Sequence, residues 1–506
     1  MGQASSPDLK SNIEYIKQQF GQSFDLVHRT FVIGAGGGTE GALFSLDGMS
    51  DSGRLDALFQ ALLALSNPPF EQPQIAADPM EQVMATIIAA GEVKTVTDLD
   101  QVVDAILQGQ WALFLDGSPR AMVADLRKPP GRGVQEPGTE METRGPRDGF
   151  TEDVVLNIGL IRRRLRDPRL RIHHMAIGRR SKTDVLLVYI EGLARPELVS
   201  EMRTRLERID VDSVLGAGYI EELIQDNPRS PLGALNYTER PDKLVGNLLE
   251  GRIGVVMDNT PFALIVPTIF WHWFQAPGDY YQNYMVSSVY RWLRMLSLLL
   301  ALIGPSMYTM LSSFHHEMVP TPLALSMAAG REGTPLPTLI EVLAMTITFE
   351  IIHEAGLRLP RAVGQTVSIV GALVIGEAAV SAGLTAPATV IVVAGAGLAA
   401  FALPIYSSSL IVRLVRIPLL VLSGTLGVFG FVVGTSFLAM HAASLRNLGQ
   451  PFLSPLGPIR PGQLKDTLVR APWWKMGKRP AVAEESQKRR MGKSVQAPHP
   501  PKGGSR

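Results

Sequence analysis

GVVMDNTPFALIVPTIFWHWF, residues 254–274, can be read in two incompatible ways. Its length and apolar content suit a segment that crosses a bilayer. Its pattern is also that of two short apolar strands around Asp258-Asn259, a strong hairpin-turn pair. A second stretch decides between them. LEGRIGVVMDNTPFALIV (249–266) aligns without gaps to LQGQWALFLDGSPRAMVA (107–124), in which Asp116-Gly117 takes the turn; the charged residues Arg120 within it and Asp125 directly after it would have to enter hydrocarbon. We therefore read 252–266 as a buried hairpin. The aromatic run Phe270, Trp271, Trp273 and Phe274 is then either a core cluster or the approach to a membrane surface, continued by Tyr280, Tyr281, Tyr284, Tyr290 and Trp292.

The alignment extends outward in order. NIEYIKQQF at 12 matches NIGLIRRRL at 157, Ile33-Gly34 recurs as Ile177-Gly178, and LFSLDGMSDSGRLDALFQAL from 43 matches LVYIEGLARPELVSEMRTRL from 187. Each copy reads as a helix, two strands, one or more helices and a hairpin. This predicts tandem duplicated α/β subdomains, at 1–126 and 150–275, joined by the Pro/Gly-rich, charged connector 127–149.

From about 295 the apolar residues gather into long blocks, although the chain as a whole is 46% hydrophobic and 19% charged over 506 residues. The fold class expected is a membrane protein: soluble α/β subdomains, an α-helical transmembrane domain at 276–441 with about 4–5 spans, and a basic, partly disordered tail. The spans fall near 293–313, 337–355, 364–384, 387–407 and 417–440. A membrane-proximal segment, 442–480, and a disordered tail, 481–506, follow. The N-terminus lacks an apolar leader, which predicts a cytosolic soluble region. Arg291, Arg294, Arg358, Arg361, Arg413 and Arg416 fall on one side if all five segments cross, and that side is then cytosolic. The tail, with 13 Lys/Arg against 3 Asp/Glu from residue 441 on, would end outside. That conflict predicts that one segment is re-entrant or lies along the surface, and the acidic segment and the Gly-rich last one are the two candidates.

The acidic segment, PTLIEVLAMTITFEIIHEAGLRLP (337–360), keeps three carboxylates in an apolar run. Such groups usually face protein or water and often mark a pathway. Glu350 and Glu354 share a helix face and Glu341 lies nearly opposite. Two readings stand: Glu350, Glu354, Glu377 and Glu341 border an ion pathway or subunit interface, or Glu350 and Glu354 pair with Arg358 or Arg361 while Glu341 caps a helix end. Gly364, Ser368, Ala372 and Gly376 form a small-residue stripe for helix packing.

Chemical motifs are sparse. Zero cysteines exclude disulfides and thiolate chemistry, and the net charge of +1 gives no basis for a nucleic-acid partner. His353-Glu354 lacks the second histidine of a zinc-binding HExxH, GAGGG at 34–38 joins two strands rather than a strand and a helix, and no phosphate-binding loop occurs. No cofactor, metal site or enzymatic activity is expected.

Several blocks carry a family resemblance: RDGFTEDVVLNIGLIRRRLRDPRLR, YTERPDKLVGNLLEGRIGVVMDNTPFALIVPTIF with QAPGDYYQ, SSFHHEMVPTPLALSMAAGREGTPLP, EAGLRLPRAVGQTVSIVGALVIGEAAVSAGL and DTLVRAPWWKMGKRP. From about 147 to 480 the chain resembles the GerA-type A subunit of bacterial spore germinant receptors, and SpoVAF-type sporulation proteins share much of 147–200. The resemblance implies a multi-pass, non-enzymatic protein of the spore inner membrane that couples nutrient sensing to ion release. It also implies a transporter-like B subunit and a lipoprotein C subunit as partners, contact with membrane lipid, and a homo-oligomer that forms a channel.

Overall fold

Asp8 and Asp153 open the two repeats in the same way. Each stands in extended backbone ahead of a helix, Leu9–Phe20 or Val154–Arg164, and its carboxylate accepts first-turn N–H groups. The hairpin turns then dock on these helix starts. Asp116 Oδ1 accepts from Leu9 N at 3.3 Å and Asp258 Oδ1 from Val154 N at 3.2 Å. Gly117 and Asn259 hold equivalent positive φ values of 82° and 66°.

The structure is a computed structural model that describes residues 3–33, 38–50, 93–125, 135–233, 235–359 and 374–492, with isolated positions 53, 60, 80, 83 and 84. The chain forms two compact units. One comprises Met1–Asp226, Leu235–Pro267 and Met476–Arg506; the other comprises Asn227–Ala234 and Thr268–Lys475.

The first unit holds two five-stranded sheets. Strands β1 (Leu26–Ile33), β2 (Thr39–Leu46), β3 (Val93–Val96), β4 (Trp111–Leu115) and β5 (Ala121–Ala124) lie in the order β1-β2-β4-β5-β3. Strands β6 (Leu170–Ile177), β7 (Thr183–Ile190), β8 (Asn236–Thr238), β9 (Ile253–Met257) and β10 (Ala263–Val266) lie in the order β6-β7-β9-β10-β8. The two orders are the same, and all pairs are antiparallel. The edge strands β3 and β8 are too short to show in the sequence pattern. Every residue of β4, β5, β9 and β10 is buried. In the first sheet, Ala112, Phe114, Ala121 and Val123 face one core, and Trp111, Leu113, Leu115 and Met122 face another. Burial on both faces removes the polar alternation of a half-exposed strand, which is why 254–266 mimics a membrane segment.

The second unit is helical: Tyr284–Ser313, Thr321–Ala329, Thr338–Arg358, Pro387–Phe401 and Tyr406–Ser444. Phe270, Trp271, Trp273 and Phe274 pack with Phe452 in its core, so these rings are core residues. The last helix is interrupted at Gly427, whose φ of 62° and ψ of −141° are not helical. A Cβ on Gly434 would lie 2.7 Å from the Leu419 side chain, and Ile411 and Val412 share a cluster with Leu438 and Ala442. In a straight helix Leu419 and Gly434 would be about 22 Å apart. The element is a helical hairpin, and its two ends lie together. Of the two re-entrant candidates, the Gly-rich last segment is therefore the one that folds back.

The expected count of about 4–5 spans is not matched by helices of spanning character. Among the described residues, two helices are long and apolar enough to cross a membrane, Tyr284–Ser313 and Tyr406–Ser444. Thr338–Arg358 is long but carries Glu341, Glu350, Glu354 and Arg358, Pro387–Phe401 is apolar but has 15 residues, and most of 364–384 lies outside the described residues. Two boundaries also move. Thr268–Phe274 belongs to the helical unit, and Met476 onward to the α/β unit. Within 481–492, expected as disordered, Val482 and Ala483 are buried while 486–489 are exposed: Ala483 lies fully buried beside Leu193 and Leu248, because its small side chain fits where a large one would not. The described part of the connector is tied down through Glu140, which Lys243 Nζ reaches at 2.5 Å, and through Pro146, whose carbonyl accepts from Arg240. Residues 127–134 lie outside the described residues, as do Gly34–Gly37.

Candidate functional site: buried charges of the helical unit

Glu350 lies midway along the Thr338–Arg358 helix, facing the first arm of the hairpin. Arg413 Nη1 donates to its Oε2 at 2.8 Å and Arg416 Nη2 to its Oε1 at 3.1 Å. The i, i+3 spacing of the two arginines puts both on one helix face. Their side chains are 4% and 0% exposed, against 30% for Glu350. The expected partners, Arg358 or Arg361, are not the ones Glu350 uses. Arg361 lies outside the described residues, and Arg358 instead takes Glu354 in an exposed i, i+4 pair at 2.6 Å. A two-helix bridge to two buried arginines and an exposed pair on a single helix differ in energy: removing one partner of a fully buried pair costs ~3–5 kcal/mol, an upper bound for partly exposed Glu350, whereas an exposed pair is worth ~0–1 kcal/mol.

Glu341 has a different task. It is 1% exposed, and its Oε1 accepts the Thr385 hydroxyl at 2.7 Å and the Ala386 backbone N–H. Ala386 is the N-cap of Pro387–Phe401, so Glu341 places a carboxylate at that helix's positive end. A helix cap was one expectation for it, but the helix it caps is a neighbour rather than its own. Glu377 is exposed on the helical stretch 374–381, and the structure brings no charged partner to it among the described residues. Of the packing stripe, Gly364, Ser368 and Ala372 lie outside the described residues. Gly376 is buried, 3.7 Å from Val390 at its Cβ position.

A third group of buried charges went unseen in the sequence. Arg291, fully buried at the start of Tyr284–Ser313, donates to Asp279 at 3.3 Å and to Asp466 at 3.1 Å. Arg294 also reaches Asp279, at 2.8 Å, and the Tyr280 hydroxyl donates to Asp466 at 2.8 Å. The Arg470 guanidinium stacks 5.0 Å over the Trp473 ring and 5.7 Å from the Tyr280 ring. Burial pushes the Asp466 carboxyl above the usual carboxylate range, against the pull of Arg291, and lowers the Arg470 guanidinium. The QAPGDYYQ and DTLVRAPWW blocks are thus one structural feature. Their shared motif character was the only sequence signal that they meet, since 187 positions separate Asp279 from Asp466.

These charges hold helix ends and helix pairs in register, and the described residues include no cluster of His, Cys, Asp and Glu that could hold a metal. The chain thus combines a duplicated α/β unit with a helical unit that buries charges between its helices and includes two helices long and apolar enough to cross a membrane among the described residues. The family model described as Bacillus/Clostridium GerA spore germination protein matches residues 14–482, and the chain belongs to that family. It is 38% identical to spore germination protein KA of Bacillus subtilis (strain 168), over 98% of this chain and 90% of that protein. It is 31% identical to stage V sporulation protein AF of the same organism, over 91% of this chain and 92% of that protein. Among solved structures, the N-terminal domain of the A subunit of the Bacillus megaterium spore germinant receptor GerK3 matches at 32% identity and a TM-score of 0.43, covering 53% of this chain and 98% of that one. The chain is a spore germination protein.

Proposed function

We propose that this chain is the A subunit of a nutrient germinant receptor in the spore inner membrane. It assembles with further copies of itself into an ion channel and acts with a transporter-like B subunit and a lipoprotein C subunit. The observation that carries this reading is family membership across both units, 14–482, in a chain whose helical unit buries paired charges between helices. Catalysis has no place in it.

The hairpin supports a particular threading. Each arm, at ~1.5 Å per residue, is about 25–30 Å long, enough for a bilayer core. Counted as two crossings beside Tyr284–Ser313, Thr338–Arg358, a segment through 374–381 and Pro387–Phe401, it gives an even number. The chain then enters and leaves on one side, and the basic tail lies on the cytosolic side with the α/β unit, as the positive-inside tendency requires. Cysteines introduced at Ser50 and Ser494 would both be shielded from an impermeant thiol reagent added outside; labelling of either from outside would overturn the threading.

Deletion of the coding sequence, followed by germination with single nutrients, tests the receptor reading. Loss of response to one nutrient class, with others intact, supports it. Uniform slowing of ion release with every nutrient instead supports a role like that of a SpoVAF-type accessory protein, a reading favoured by the 31% identity to stage V sporulation protein AF. Unchanged germination with every nutrient overturns both.

A further inference from the structure

The charges between Thr338–Arg358 and the first arm of the hairpin do not balance. Arg413 and Arg416 share the single carboxylate of Glu350, and each gives it one N–H. Both guanidinium groups are at least nine-tenths buried. Arg416 Nε and Nη1 and Arg413 Nε have no hydrogen-bond partner among the described residues. Among the described residues no second negative group is paired with them: the Phe401 ring lies 5.8 Å from the Arg413 guanidinium and 4.9 Å from the His353 ring, whose Nε2 likewise has no partner among the described residues. Glu354, one turn further on, is engaged by Arg358.

A buried cation without a counter-charge is strongly unfavourable, and each unmade N–H bond adds to that cost. A neutral acceptor would satisfy the hydrogen bonds and leave the charge. We propose that this cluster is a binding site for a small inorganic anion of chloride size, which completes the coordination of Arg413 and Arg416 opposite Glu350. The aromatic wall and the depth of the arginines favour a compact ion, and half-exposed Glu350 marks the side from which it enters. Glu350 is also its competitor, because carboxylate and anion draw on the same two guanidinium groups. Binding would remove the local excess of positive charge at the hairpin. The inference goes beyond the receptor reading and does not need the B or C subunit.

The full chain in lipid nanodiscs, heated at constant ionic strength while chloride replaces gluconate, tests it. The wild-type unfolding midpoint is expected to rise with chloride and saturate. Arg416→Gln loses that dependence. Glu350→Gln reaches half-saturation at about tenfold lower chloride, as expected when a competitor worth ~1.4 kcal/mol is removed. A wild-type midpoint that ignores chloride overturns the proposal without recourse to any variant. So does Arg416→Gln with the full response, or Glu350→Gln with half-saturation unmoved or raised.

Discussion

The repeat is held by asparagines. Asn12 and Asn157, the first residues of the matching motifs, are buried, and each closes the same loop: Nδ2 donates to Ser6 O or Thr151 O at 2.6 Å, and Oδ1 accepts from the same residue's N–H. Sequence comparison could find these because both members of the pair recur. It could not find Arg162 with Asp25, which lie 137 positions apart and belong to different copies. Arg162 Nε and Nη2 grip the Asp25 carboxylate at 2.6 and 3.0 Å, both side chains fully buried, and thereby tie the two subdomains together. Asp25→Asn strands the guanidinium, so a loss of ~3–5 kcal/mol is expected. Faster amide exchange along β1 and β6, with helix Pro241–Leu248 unaffected, is the measurement that checks it. Glu350 and Glu354 make a second contrast. Glu350→Gln removes the carboxylate that bridges the two helices through Arg413 and Arg416 and lowers the amount of assembled protein in spores several-fold, whereas Glu354→Gln, in a pair worth ~0–1 kcal/mol, does not. Potassium release per assembled complex in both variants and in Glu377→Gln separates assembly from conduction; unchanged release in all three would leave these carboxylates with no pathway role.

Elements were legible where period and turn chemistry agree. Both hairpins could be placed from Asp116-Gly117 and Asp258-Asn259, and the acidic helix from its apolar run. The fold-back in the last segment showed only as a conflict of charge placement, because that segment has several glycines and Pro418, and propensity does not choose among them. The backbone does. Gly427 adopts a conformation that is essentially glycine-only, and a Cβ on Gly430 would lie 2.0 Å from the Leu422 carbonyl oxygen. Either Gly427→Ala or Gly430→Ala must open the hairpin, whereas Gly395→Ala, with nothing within 4 Å of the new atom, should not. A cysteine cross-link between positions 411 and 438, formed in the Gly395→Ala background and lost in the Gly427→Ala one, is the expected pattern.

At the scale of the whole molecule, the C-terminal residues were the hardest to read. Their basic, Pro-containing composition resembles that of a disordered tail, and only the folded chain brings the small residues at 481–483 to a socket formed by two distant loops. Ala483 pairs with Ala194, Glu484 N donates to Leu193 O at 2.8 Å, and Arg479 Nε donates to Leu249 O at 2.8 Å. Gly251, at φ 86°, forms the floor; a Cβ there would lie 2.6 Å from Ala483 Cα and 2.8 Å from Leu193 O. The stretch from Met476 on is therefore anchored within the α/β unit to which it belongs. Gly251→Ala combines a strained φ with a backbone clash and should release this anchor while leaving β9 and β10 paired. Limited trypsin digestion of the full chain reads this directly, since Lys478, Arg479, Arg489 and Arg490 lie in the anchored stretch. When opening is fast relative to cleavage, the rate follows the population of the released form. Loss of ~1.4 kcal/mol of docking should then raise cleavage between 478 and 490 about tenfold. Equal rates in wild type and Gly251→Ala would show that the anchor contributes no stability. A raised rate with an unchanged dependence of potassium release on nutrient concentration would show that it secures the tail without coupling the two units.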